Sequence, residues 1–340
     1  MRRFFLLLIA FNALPASVLF AVNDVGSVYA VLKEQRYNQT DNSAPILTSN
    51  QPYRFLTYIS QASGGTLTGG TITPPGTGSV NTPQPFTANN DGIGSWGFQQ
   101  RFDSFGALNA AFGDGQYSLH ITGANGTYNS QLTLSGEVYP AEVPKLSNTN
   151  FSSGVLVIDP TQPFTVTWNS FADHGANDVV VFNLSDSTGT KVIQQILAPT
   201  ATSQLIPANT LQLGQTYGID LNFIKASNTN TASIPGSTGK GGYSIATKIN
   251  VSAAAIPGLF ASVNGTGANG GGSIFQYTSA GDESTFASAL DHPRWLAFDS
   301  AGNLFVVLNT FDNNSGNFQG NDSENYARRR GKHRCDSLWH

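Results

Sequence analysis

Two stretches of this chain read as the same structural device. Residues 112–121 (FGDGQYSLHI) and 211–223 (LQLGQTYGIDLNF) each pass through a Gly-containing turn into a strand with a Tyr near its start. In the first, Tyr117, Leu119 and Ile121 share one face; in the second, Tyr217, Ile219, Leu221 and Phe223 do. That is the period-two alternation of a half-buried strand. A second match supports the first: Gln51-Pro52-Tyr53 and Gln162-Pro163-Phe164 both open alternating apolar stretches. Recurrence of this kind predicts two copies of one β-sandwich plan in an all-β chain.

Composition matters here for what it excludes. Charged residues are 11% of the 340, against about 25% in an ordinary soluble domain. Gly, Ser, Thr and Asn take their place, as strands with hydroxyl and amide faces joined by Gly-rich turns require. A net charge of −4 lacks the basic footprint that nucleic acid needs. Met1-Arg2-Arg3 followed by an apolar run to Ala21 reads as a secretory signal peptide, residues 1–21. The rival reading, an uncleaved anchor helix, calls for a longer apolar run. No stable membrane span is expected once the signal is removed. Cys335 is the one cysteine, so no disulfide framework within the chain is possible. An exported chain without cystines fits a bacterial source, and its stability must come from its cores.

Residues 25–32 read as a first strand, and 51–59 as a second, with Tyr53 and Phe55 on one face. The Thr/Gly-rich run 60–90 predicts two short exposed strands, 65–68 and 70–73, ended by Pro74-Pro75. Residues 103–112 predict the one helix, capped by Asp103 or Ser104 and ended by Gly113. These elements define a β-sandwich domain over 22–142. A Pro-containing linker leads to a second sandwich over 145–252, with strands near 154–158, 161–168, 178–184, 191–196, 217–223 and 243–251.

The 206–217 segment, Ile206-Pro207 through Leu211 and Gly214 to Tyr217, resembles the corner of fibronectin type III and related immunoglobulin-like domains. There a Tyr hydroxyl bonds back across the turn. The resemblance covers most of 145–252 and is weaker over 22–144. It implies structural roles for Tyr217, for its counterpart Tyr117, and for Trp168 as a buried core aromatic. It implies a fold and no activity. Further on, residues 293–307 (PRWLAFDSAGNLFVV) resemble a repeat of NHL or gluconolactonase-like β-propellers, and 256–311 are identified as a partial blade. A propeller closes only with about four or more blades. The tail 312–340 loses this character, and 327–340 (ARRRGKHRCDSLWH) matches nothing upstream. It reads as a disordered tail from a shifted frame, with a natural basic tail as the rival.

No H-E-x-x-H, G-x-S-x-G or P-loop pattern occurs, and no cysteines are paired at zinc spacing. No catalytic residue, metal ligand or cofactor is assigned. The acidic turn 89–92 reads as an ordinary Asx turn rather than a Ca²⁺ site. His120 is expected to face outward. The candidates for contact with a ligand are Trp96 and Phe98, whose rings sit in a Gly-rich segment and suit stacking on sugar; core packing is the competing role. The expected function is an exported, non-catalytic spacer or binding module outside the cell, taking an extracellular polysaccharide or a surface protein. The alternative is a fragment of a secreted gluconolactonase-like hydrolase.

Overall fold

The computed structural model describes residues 23–148, 150–254, 257–265, 271–278, 283–298, 304–308, 311–312 and 317–318. The signal segment, the 299–303 turn and the tail beyond residue 318 lie outside them. The regular secondary structure of the described residues is strand apart from one helix, and they fall into two compact units.

In the first unit (23–33, 53–138 and 226–243), one antiparallel sheet runs Gly126–Leu134, Gly115–Gly123, Leu67–Thr73, Gln84–Pro85. In the other layer, Tyr53–Gln61 pairs antiparallel with Gln99–Phe102 and Trp96–Gly97, and Val25–Gln39 is its neighbour in strand order. Alternation decides which side chains meet. Phe55 and Ile59 from one layer, and Tyr117, Leu119, Ile121, Leu132 and Leu134 from the other, are buried. The Phe55 ring stacks on Phe112 at 4.0 Å between centroids and on Tyr117 at 5.3 Å.

Leu67–Thr73 is one strand, where the sequence suggested two. Its register shifts between Leu67 and Gly69, and Gly69 and Gly70 have φ of 154° and 133°. At Gly70 a Cβ would lie 2.1 Å from the His120 carbonyl oxygen, so only glycine fits. The pair reads as a break in sequence yet serves as a bulge within a continuous strand. The helix is Phe105–Ala111. The Ser104 hydroxyl caps it, accepting from the Ala107 N–H at 3.1 Å, and Leu108 is buried beneath.

The second unit (34–52, 139–225 and from 244 onward) has a sheet in the order Lys191–Leu197, Val179–Asp186, Thr216–Asn230, Thr238–Ala253. Val155–Ile158 adds to Thr238–Ala253 in parallel, with Leu156 opposite Val251. Phe164–Thr167 pairs with Ser203–Ile206 to form the facing layer. Val166, Ile206, Phe182, Leu221 and Phe223 belong to the single core between them. Phe171 stacks on Phe223 at 4.8 Å.

The two units repeat one pairing plan. In each, the strand that opens after Gln-Pro pairs with the strand preceding the Tyr strand: Tyr53 lies opposite Phe102, and Phe164 opposite Ile206. In each, the Tyr strand then lies between an earlier strand and a later one, Leu67–Thr73 and Gly126–Leu134 in the first, Val179–Asp186 and Thr238–Ala253 in the second. This is the strand plan of an immunoglobulin-like sandwich, written twice.

The partition of the chain differs from the sequential boundaries the sequence suggested. Residues 34–52 group with the second unit and 226–243 with the first. The cause is strand length. Val25–Gln39, Thr216–Asn230 and Thr238–Ala253 have 15, 15 and 16 residues, well beyond the usual five or six or so, and each supplies residues to both units. The polar run 224–242 hid the extension, because Asn, Thr, Ser and Gly carry no apolar alternation.

Residues 257–308 also depart from expectation. Pro257–Val263, Gly272–Thr278 and Glu283–Leu290 form a three-stranded antiparallel sheet. Pro293–Phe298 and Leu304–Leu308 form the expected hairpin, but as a separate sheet. Leu304, Val306 and Leu308 share a core with Ile274 and Leu290. The hairpin therefore buries its apolar face on the first sheet instead of extending it, and the five strands do not make one propeller blade. Beyond them, Phe311–Asp312 pairs with Asn317–Phe318.

Candidate functional site

Alternation that buries Tyr117, Leu119 and Ile121 turns Ser118 and His120 to the other face of the Gly115–Gly123 strand. Register then builds a polar surface. Thr73 lies opposite Ser118 on one side, and Gln131 opposite Ser118 and Asn129 opposite His120 on the other. Asn230 and Ser233, from a distant part of the chain but the same unit, complete a groove of about 480 Å³. No Asp, Glu, Lys or Arg lines it.

The groove is held by its own hydrogen bonds. His120 Nδ1 and Asn129 Oδ1 are 2.9 Å apart. A carbonyl oxygen only accepts, so Nδ1 carries the proton, and in the neutral ring Nε2 is left as an acceptor. The Asn230 amide donates to Ser233 Oγ at 2.8 Å and to the Gln131 carbonyl at 3.1 Å, while its oxygen accepts from the Ala232 and Ser233 N–H groups. Ser130 Oγ is bonded to the Tyr29 hydroxyl at 2.7 Å. The result is a preset array of hydroxyl and amide groups without a net counter-charge. It offers hydrogen bonds to a neutral ligand at an open surface groove and supplies no ion-pair partner for a charged one.

The aromatic candidates lie elsewhere in this unit. Phe98 is half-buried, and its ring packs on Phe55 at 6.3 Å and Phe112 at 6.0 Å. Trp96 is half-buried, opposite Ile59 and Ala88 in short strand pairings. Neither ring lines the groove. The sequence pointed to His120 as outward-facing, which it is, but not to its partners. Asn129 and Gln131 were legible only through cross-strand register, and Asn230 only through the tertiary fold.

The three residues given structural roles stand as follows. The Gln212 N–H donates to the Tyr217 hydroxyl at 2.9 Å, five residues back across the turn. The Tyr117 hydroxyl donates to the Gly113 carbonyl at 2.6 Å, four residues back. Both tyrosines thus fasten the turn that leads into their own strand. Trp168 is buried, stacks near Phe182 at 6.0 Å and donates from Nε1 to the Ala201 carbonyl at 2.8 Å.

The 89–92 turn is an Asx turn. The Asp91 carboxylate accepts from the Ile93 N–H at 3.2 Å and from the Ser95 hydroxyl. Among the described residues no group of three or more His, Cys, Asp or Glu is placed to hold a metal ion, and no helix is long and apolar enough to cross a membrane.

No family model matches this chain, and no curated protein does. Among solved structures it is similar to the BSP domain of a biofilm-associated protein, at 14% identity and a TM-score of 0.18, covering 66% of this chain and 29% of that one. The chain therefore spans less than a third of that structure. It is also similar to the FN1–FN3 domains of chicken CNTN1, at 8% identity and a TM-score of 0.22, covering 80% of this chain and 87% of that one. Likeness at this level carries no argument about activity, and the propeller resemblance of 256–311 gains no support from it. The all-β sandwich assignment rests on the strand pairing itself.

Proposed function

We propose that this chain is an exported, non-catalytic β-rich protein that works outside the cell or at its surface as a spacer and binding module. On this reading the first unit binds a neutral, polyhydroxylated ligand such as a polysaccharide in the Ser118–His120–Asn129–Gln131 groove. The observation that carries it is the groove's composition: preset amide and hydroxyl groups with no fixed charge. The leader-like N-terminus of the sequence supports export. No stacking ring lines the groove, so single-site affinity is modest and useful binding depends on repeated contacts along a polymer.

Calorimetry with soluble neutral polysaccharides and with their uronic-acid counterparts tests this. Binding of a neutral polymer is expected, with loss in Gln131→Ala and His120→Ala. Binding that survives both substitutions, or that prefers the acidic polymers, overturns the groove assignment and leaves the spacer role. The hydrolase alternative gains no support from the described residues of 257–308, which form two small packed sheets.

A further inference from the structure

Within the first unit, Lys33 is completely buried at the end of that unit's share of Val25–Gln39. Its Nζ donates to Asn109 Oδ1 at 2.8 Å and to Asp114 Oδ1 at 2.9 Å. The other Asp114 oxygen accepts from the Tyr243 hydroxyl at 2.7 Å. The Asn109 amide nitrogen, at the opposite end of its carboxamide, donates to Glu137 Oε1 at 2.5 Å. One carboxamide is thus held between a buried amine and a carboxylate, and a second carboxylate sits on the amine.

The ammonium of Lys33 has three N–H donors, so satisfying a buried lysine accounts for both acceptors; what it does not require is that the Asn109 carboxamide also be anchored through its nitrogen, which fixes it against the amine. We propose that Lys33 and Asn109 are the partners of an intramolecular isopeptide bond, with Asp114 as the proton carrier. The step is redox-neutral and needs no cofactor. Lys33 passes a proton to the part-exposed Asp114 along their hydrogen bond, which removes the charge from the buried amine. The amine lone pair attacks Asn109 Cγ after a small rotation of the carboxamide, and the carbonyl π pair moves to oxygen. The new bond is Nζ–Cγ. As the carbonyl re-forms, the Cγ–Nδ2 bond breaks. Asp114 returns its proton to the departing nitrogen, which also takes the second proton of the attacking amine. Nitrogen leaves as ammonium beside Glu137, and Asp114 is again a carboxylate. Fixed proximity replaces activation of the amide, since well-oriented intramolecular partners gain effective molarities of about 10⁵ M or more.

Burial pushes the Asp114 carboxyl up, but hydrogen bonds from Lys33 and Tyr243 and the lysine's charge outweigh it, so its pKa lies below the ordinary carboxylate value. Before the bond forms, the site is therefore held as the ion pair. The bond would join a strand to the helix across 76 residues of chain, in a protein whose single cysteine allows no internal disulfide.

Peptide mapping of the purified full chain by mass spectrometry tests this directly. The expected result is a branched peptide joining the Lys33 and Asn109 segments, lighter than the two together by one ammonia, with no tryptic cleavage after Lys33. Asn109→Ala is expected to abolish it. Asn109→Asp should restore it with loss of water instead. Free Lys33 and an intact Asn109 peptide after prolonged incubation of the folded protein overturn the proposal. So does a wild-type cross-link formed with loss of water, which would place the bond on a carboxylate. The wild-type map decides the question even if a variant fails to fold.

Discussion

Replacing Tyr117 by Phe removes one oxygen and leaves the ring in place. The ring is fully buried and stacks on Phe55, so packing is retained and the change isolates one hydrogen bond, the 2.6 Å contact to the Gly113 carbonyl. Tyr217→Phe does the same in the second unit, removing the acceptor of the Gln212 N–H. The two should not cost the same. Gln212 is exposed, so its N–H regains water and the loss is about 1 kcal/mol. Gly113 is only part-exposed and the Tyr117 hydroxyl is wholly enclosed, so that loss approaches the upper range for an unsatisfied buried group, about 2–3 kcal/mol. With a urea slope of about 1–3 kcal/mol per molar, Tyr117→Phe lowers the midpoint of its unit by about 1 M and Tyr217→Phe by about half as much. Urea titration followed by fluorescence reads this, with Trp96 reporting from the first unit and Trp168 from the second. The hydroxyls share no partner, so the double variant should be additive. Unchanged midpoints in both variants, or a larger loss from Tyr217→Phe, would refute the claim that the hydroxyls fasten these turns.

Further predictions concern charge and backbone. Asp24 is buried, which raises its pKa, but hydrogen bonds from the Thr66 and Asn125 N–H groups, the Asn125 amide and the Tyr128 hydroxyl outweigh burial and hold it below the usual 3.8. Asp114 is lowered likewise while Lys33 keeps its charge. Because the folded values lie below the unfolded ones, this stability is complete above the unfolded pKa and is lost as pH falls through the folded values. Circular dichroism should show the first unit weakening below about pH 4, with a flatter dependence in Asp24→Asn. Burial first, then the charge on Asp114, raises Tyr117; burial and its bond to Asp114 raise Tyr243. Ultraviolet titration should find both neutral where ordinary tyrosines ionise, near about pH 10, and the stability they hold should decline as pH rises above that value. Gly70→Ala, forced against the His120 carbonyl at a φ of 133°, should lower stability by about 2–4 kcal/mol in thermal melts and distort the groove.

Much of the architecture was legible because its signal is local. Tyr117 and Tyr217 each stand just past a Gly turn on an alternating strand, and Gln-Pro marks the partner strand twice. The helix was legible from Ser104 and the apolar run behind it, although Phe112, not Gly113, ends it. The Gly69–Gly70 bulge was misread because two glycines look like a break when the neighbouring His120 backbone is unknown. The 293–308 hairpin was legible from its alternation, but whether it extends a sheet or packs upon one depends on Ile274 and Leu290, which alternation cannot report.

Sequence by itself determined the all-β class, the doubled Tyr-corner plan, the low charge that argues against nucleic acid, and the outward face of His120. These follow from periodicity and turn chemistry over a few residues. Tertiary structure alone decided that Asn230 reaches the groove across 100 residues from Ser130, and that Lys33, Asn109, Asp114, Glu137 and Tyr243 converge. Such convergence depends on strand register and on how sheets close over a core. Both are set by the sum of many weak contacts, and no short stretch of sequence encodes them.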